Sequence, residues 1–181
     1  FPLTDYTAAI LAAGSALAEL RRARLGAGEP APLAFGLHEA MLRMNEWQTV
    51  VASAQSRAEL RNGNRFPMNS NIGNIFSTRD GQLLTVSAAT PSVAERMLRM
   101  IGGEDLVRDP RFVSVAARRD NMDALEELIA AWMARHDADA AMRLVRENDV
   151  VVGPIATAGD LLQHPHLAAR GDIVRLDDGR G

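Results

Sequence analysis

The sequence predicts an α/β fold in two pieces, a helix–strand–helix segment joined to a small α/β domain rich in helices. Three observations carry that expectation. Apolar residues recur at helical spacing in several separate stretches, as in Leu125, Leu128, Ile129, Trp132 and Met133. Leu83, Thr85 and Ser87 alternate with Leu84 and Val86 just after an Arg79-Asp80-Gly81 turn signal. The stretch Asp149 to Val152 closes on Gly153-Pro154, which reads as a buried strand entering a turn, since proline cannot continue a ladder.

Taken in order, Thr4 reads as the N-cap of a long Ala-rich helix from about Asp5 to Arg24, with Ile10, Leu11, Ala13, Leu17 and Leu20 as its inner stripe. Gly26-Ala27-Gly28 stops it, Leu33-Ala34-Phe35 is a short strand candidate, and a second helix runs from Leu37 to about Ala54. One strand makes no sheet, so its partners are expected outside this chain. Ser56 to Asn74 is polar, rich in Asn and Gly, and reads as a connector. A hairpin over Ile75 to Ala88 follows, then a helix that Pro91 opens, with Val93, Met97, Leu98 and Ile101 on one face and Gly102-Gly103 at its end. Asp120 and Asp137 read as caps of the next two helices, the second with Ala141, Leu144 and Val145 inward. After the Gly-Pro turn, Thr157 caps a short helix to Gln163, and Pro165 marks its stop.

The 181 residues, 47% hydrophobic and 24% charged, suffice for one or two compact domains. A net charge of -3 supplies no basic field, so nucleic acid is a poor partner. All 20 basic residues are Arg, which removes lysine Schiff-base chemistry and the P-loop lysine. Without Cys there are no disulfides, thiol nucleophiles or thiolate metal ligands, which suits a reducing cytoplasm. The apolar run Ala8 to Ala18 has Arg21, Arg22 and Arg24 after it rather than before it, the wrong polarity for export, and it is too short to span a bilayer. No membrane partner is expected. Phe1 and the Gly-rich end at Gly181 read as the limits of a segment from a longer protein.

His164-Pro165-His166 invites a metal reading, but the two rings are expected to diverge and no third ligand stands at a recognised spacing, so no metal is expected. His38 and His136 read as helix-face or helix-end residues, and Met41, Met44, Met97, Met100, Met122, Met133 and Met142 as core filling. Arg21, Arg22 and Arg24 suit the C-terminal end of a helix and are also within the repertoire of phosphate binding.

The order of several segments resembles the family III CoA-transferases, the group named for L-carnitine dehydratase and bile-acid-inducible protein F. These are PLTDYTAAILAAGSALAELRRARLGAGEP through LHEAML, Gly63-Asn64-Arg65-Phe66-Pro67, Phe76 to Gly81, Asp109-Pro110-Arg111-Phe112, Arg118 to Leu125, and the closing Gly-Pro and His-Pro pair. The resemblance implies chains about twice this length, with a large Rossmann-like domain, a small domain, and two copies interlocked as a homodimer. Residues 1–55 would be a piece of the large domain with the catalytic helix, 56–74 the connector, 75–165 the small domain and 166–181 the return. Asp5 matches the family's catalytic aspartate, which attacks an acyl-CoA thioester, forms a mixed anhydride and then an aspartyl-CoA thioester, and passes CoA to an incoming carboxylic acid. From the residues alone Asp5 reads as a capping side chain; only the surrounding family pattern makes it catalytic. Coenzyme A would enter as a thioester substrate, with no permanently bound cofactor. Some members close a glycine run over the reacting carbonyl; here that run is absent and a solvated connector is the default reading of this stretch, with Gly63, Asn64, Gly73 and Asn74 as its candidate substrate contacts. The nearest rival activity is that of an α-methylacyl-CoA racemase, against which stands Tyr6-Thr7-Ala8-Ala9 where racemases carry glycines. A non-catalytic oligomerisation or interaction module is the rival of another class.

Overall fold

Twenty-two residues of Ala-rich sequence form the first helix, α1 (Leu3–Arg24), in a computed structural model that describes residues 1–29, 31–56, 63–65, 72–174, 176 and 179. The helix begins ahead of the expected Thr4 cap: Pro2 holds the N-cap position, and no side chain caps the end. Proline suits that edge because the first N–H groups of a helix have no intrahelical acceptor to lose. Only Ala8 of α1 is buried; Ile10, at 72%, and Leu17, at 68%, are exposed, so the expected inner stripe has no cover among the described residues.

Leu33, Ala34 and Phe35 form no strand, which corrects the helix–strand–helix reading of this segment. A strand exists by its ladder, and none is offered here. The second expected helix is two: α2 (Leu37–Met44) and α3 (Glu46–Gln55), divided at Asn45 with φ −102° and ψ 11°. Glu39 secures the start of α2, its Oε2 accepting from Gly36 N–H at 2.6 Å. These elements belong to a unit spanning Phe1–Arg61; the rest form a second, Asn62–Gly181.

The second unit is built on an antiparallel sheet of β1 (Ile72–Ser77), β2 (Leu83–Ala88) and β3 (Val152–Pro154), in the order β1-β2-β3. The hairpin therefore starts three residues before the expected Ile75, because Ile72 and Gly73 already pair with Ala88 and Ser87. In β2 the period of two is strict: Leu84, Val86 and Ala88 are buried while Leu83, Thr85 and Ser87 face out. The last strand lies two to three residues later than expected, with Leu84 opposite Pro154 and Val86 opposite Val152. Proline is tolerated there because β3 is an edge.

Among the described residues, six helices complete this unit: α4 (Pro91–Val107), α5 (Val115–Asp120), α6 (Met122–Met133), α7 (Ala138–Glu147), α8 (Ala158–Leu162) and α9 (Pro165–Arg170). Thr90 caps α4 through Oγ1 to Val93 N–H at 3.3 Å, with Pro91 as its first residue. Gly103, at φ 69° and ψ −165°, breaks α4, so the expected stop is a kink followed by one more turn. Asp120 ends α5 rather than starting the next helix; Ser114 caps α5, and Asn121 holds the N-cap position of α6. Thr157 and Asp160 form a reciprocal capping box on α8. Pro165 opens α9 instead of merely stopping α8, as a first-turn proline can.

The core of this unit gathers Ile72, Leu84, Met97, Leu98, Phe112, Leu125, Ile129 and Met133 with Ala141 and Val145. Each fully buried large apolar side chain contributes roughly 1.5–3 kcal/mol relative to exposure. Leu128 alone of the expected α6 face is 38% exposed, and Met44 is exposed rather than core-filling.

Candidate functional site

Asp5 lies in the first turn of α1, and none of the neighbouring contacts holds its carboxylate. Leu3 N–H donates to Phe1 O at 2.9 Å, Tyr6 N–H to Pro2 O at 3.2 Å, and Thr7 Oγ1 to Leu3 O at 2.7 Å. The rings of Phe1 and Tyr6 stack at 5.2 Å. The Asp5 carboxylate itself is exposed and has neither a hydrogen bond nor an ion pair among the described residues. It stands at the positive end of the helix dipole, where an anion is stabilised and stays available. Such a group can act as a nucleophile without first breaking a bond to the protein.

At the other end of α1 one arginine is consumed by structure. Arg22 Nε donates to Glu19 Oε2 at 2.9 Å, while its Nη1 and Nη2 donate to the carbonyls of Ala27 and Glu29, both at 2.5 Å. Gly28 sits beside it at φ 107°, a conformation that side chains rarely adopt. Arg21 and Arg24 instead line a cleft of about 450 Å³ with Leu17, Leu20 and Leu25. Of the three, these two remain free to meet a phosphate among the described residues.

The four expected substrate contacts separate into two pairs. Gly63, with φ 73°, and Asn64 are exposed in a turn. Gly73 and Asn74 lie inside β1, opposite Ser87 and Val86. The Asn74 amide is already engaged: Nδ2 donates to Glu126 Oε1 at 3.0 Å and Oδ1 accepts from Ile75 N–H at 2.8 Å. Residues 66–71, with Asn69 and Asn71, lie outside the described residues.

Sequence reasoning missed the residue between those pairs. Arg65 grips Glu126 with Nε at 2.9 Å and Nη2 at 2.6 Å, and Nη2 also meets Asp123 Oδ1 at 2.6 Å. The hydrogen-bonded Glu126 carboxylate raises the Arg65 pKa above its ordinary value against the cost of desolvation, with Asp123 adding to it. The signal was an arginine inside Gly63-Asn64-Arg65 and two acids three apart on α6, yet nothing local joins them. His164 and His166 stand edge to face with ring centroids 6.3 Å apart, and no group of three or more metal-ligating side chains occurs among the described residues.

The model of CoA-transferase family III matches residues 1–181. The chain is 33% identical over 175 residues to succinyl-CoA–D-citramalate CoA-transferase of Chloroflexus aurantiacus, covering 96% of this chain and 43% of that protein. It is 25% identical over 162 residues to acetyl-CoA:oxalate CoA-transferase of Acetobacter aceti, covering 90% of this chain and 41% of that protein. The chain thus spans less than half the length of these relatives. A CAIB/BAIF family protein from Brucella suis shares its fold at a TM-score of 0.66 and 24% identity, over 93% of this chain and 46% of that one. Rv3272 of Mycobacterium tuberculosis does so at a TM-score of 0.76 and 20% identity, over 97% of this chain and 44% of that one. No described helix is long and apolar enough to cross a membrane. The chain belongs to CoA-transferase family III.

Proposed function

We propose that this chain supplies the nucleophilic part of an enzyme that moves coenzyme A between carboxylic acids. The observation that carries the reading is the unpartnered Asp5 carboxylate at the first turn of α1. Its oxygen attacks the carbonyl carbon of an acyl-CoA, the C–S bond breaks, and a mixed anhydride and CoA thiolate result. The thiolate attacks the aspartyl carbonyl, releasing the donor acid and leaving an aspartyl-CoA thioester. The acceptor carboxylate attacks that thioester, and the returning thiolate takes the new acyl group, regenerating Asp5. No net proton is consumed. Short acids are the favoured class, since the relatives named above act on succinyl-CoA with D-citramalate and on acetyl-CoA with oxalate.

In this reading residues 1–55 belong to a larger CoA-binding domain, 56–74 connect, 75–165 form the small domain and 166–181 return. Coenzyme A is substrate rather than resident cofactor. Two copies associate as a homodimer in the cytoplasm, and Gly63 and Asn64 stand closest to a substrate role, being exposed and unengaged. Gly73 and Asn74 would support them from β1.

The test is mass spectrometry of the complete protein after incubation with succinyl-CoA, followed by trypsin. A CoA adduct on the peptide ending at Arg21, absent in Asp5→Asn, is the expected result. Deuterium entry at the α-carbon of an acyl-CoA with no exchange of acids would overturn the reading in favour of a racemase.

A further inference from the structure

Glu126 is fixed from two elements before Arg65 reaches it. It stands on α6, whose Leu125, Ile129, Trp132 and Met133 are buried in the core, and Asn74 of β1 donates its Nδ2 to Glu126 Oε1 at 3.0 Å. A carboxylate only 14% exposed and bonded across to a strand is a receptor of fixed direction rather than a roaming surface charge.

Arg65 closes on that receptor with two donors, Nε to Oε1 at 2.9 Å and Nη2 to Oε2 at 2.6 Å. A planar guanidinium that meets both oxygens is set in orientation as well as in distance. Arg79 and Arg111 fork onto Asp137 and Asp109 in a similar way, but with 62% and 54% of their side chains exposed against 30% for Arg65. Water therefore competes least for the Arg65 contact.

The two residues ahead of Arg65 have no such hold. Among the described residues, the hydrogen bonds and ion pairs of residues 63–65 all come from the Arg65 side chain. Gly63 turns the chain at φ 73°, Asn64 follows, and both are exposed. A turn without bonds of its own, next to a residue pinned at two points, takes its place from that residue.

We propose that Arg65 is a positioning residue for acyl-CoA binding: its two-point contact with Glu126 holds the Gly63-Asn64 turn where that turn meets the thioester substrate. The inference rests on the substrate role given above to Gly63 and Asn64, and not on Asp5 as the nucleophile. Arg65 acts through the turn and not by touching the substrate. Once released from α6, the turn spends part of its time elsewhere, and apparent affinity falls by that fraction.

The experiment is calorimetric titration of succinyl-CoA into the complete protein carrying Asp5→Asn, which stops the transfer and leaves binding to be read. Arg65→Lys keeps the charge but loses the fork, and should raise the dissociation constant about fivefold. Glu126→Gln should do the same, so the proposal stays exposed even if one of these variants does not fold. Asn64→Ala should also weaken binding, and on top of it either change should add less than about twofold, because the turn being placed no longer reads the substrate. With Asp5 restored, Arg65→Lys should raise KM for succinyl-CoA by a similar factor and leave kcat nearly unchanged. A contact that serves stability alone would lower the unfolding midpoint and leave both the dissociation constant and KM where they were. Unchanged binding in both Arg65→Lys and Glu126→Gln, unchanged binding in Asn64→Ala, additive effects at positions 64 and 65, or no binding of succinyl-CoA at all would overturn the proposal. Failure of the transfer reading looks different: binding and its dependence on Arg65 persist while no CoA adduct forms on Asp5.

Discussion

Asp80 caps a helix that begins 58 residues further along the chain: its Oδ1 accepts from Ala138 N–H, the first of α7, at 3.1 Å. Asp137 occupies the N-cap position of α7, but its own carboxylate is turned to Arg79. The turn of the β1–β2 hairpin and the start of α7 have in effect exchanged caps. Hydrogen bonds from Thr78 Oγ1 and then, against desolvation, from Ala138 N–H hold the Asp80 carboxyl below its ordinary range. The ionised form thus favours the folded state. Its contribution is present above the unfolded value, about 3.9, and is lost as pH falls through the lower folded one. Thermal unfolding between pH 2 and 7 should show Asp80→Ala less stable near neutrality and converging on the parent in acid. A gap of constant size down to pH 2 would sink this account.

Replacing Asp5 should separate activity from stability. Because its carboxylate makes no contact among the described residues, Asp5→Asn should leave the unfolding midpoint nearly unchanged. CoA exchange between acids should fall by about a thousand-fold or more, as for a lost covalent nucleophile. Measured exchange within tenfold of the parent would remove Asp5 from the chemistry.

Gly103 gives a purely backbone test. Its φ of 69° and ψ of −165° lie in a region nearly reserved for glycine, and a Cβ there would meet nothing within 4 Å. Gly103→Ala should therefore cost about 1–3 kcal/mol through strain alone. Gly102→Ala, whose Cβ would meet Leu106 Cδ2 at 2.8 Å, should destabilise through packing instead. Because Leu106 Cβ would itself stand 2.9 Å from the new atom, chemical denaturation distinguishes the two causes if Leu106→Gly relieves only the second.

Arg65 and Glu126 offer a double-mutant cycle. Both are partly buried, at 30% and 14% side-chain exposure, and share a two-point contact that Asn74 extends. Arg65→Gln combined with Glu126→Gln should show a coupling energy of about 1 kcal/mol, more than exposed pairs usually give. Additive losses would make the contact incidental.

Legibility in the sequence followed the range of each interaction. The α6 face of Leu125, Ile129, Trp132 and Met133 was readable because helical period and burial coincide, and Pro91 and Thr157 were readable because helix starts are set within a turn, although the Thr90 cap beside Pro91 was not singled out. Leu33 to Phe35 has strand-like composition but no ladder, since pairing is not a property of three residues. The Asp80 cap and the Arg65 contact depend on residues far apart in sequence, so no local pattern announces them. Asp5 stood out only through the order of segments around it, because an acid in a first turn is common by itself.

The register of β3 settles which way its backbone donors face. Ser87 N–H donates to Val151 O and Ile155 N–H to Leu83 O, both at 2.9 Å, so Val152 and Pro154 are the positions turned away from β2. Proline has no N–H, which leaves Val152 as the single outward donor of this three-residue edge. A strand arriving from another molecule would find one anchor where templated growth needs a row of them, so this margin of the sheet is poorly suited to seeding amyloid-like stacking.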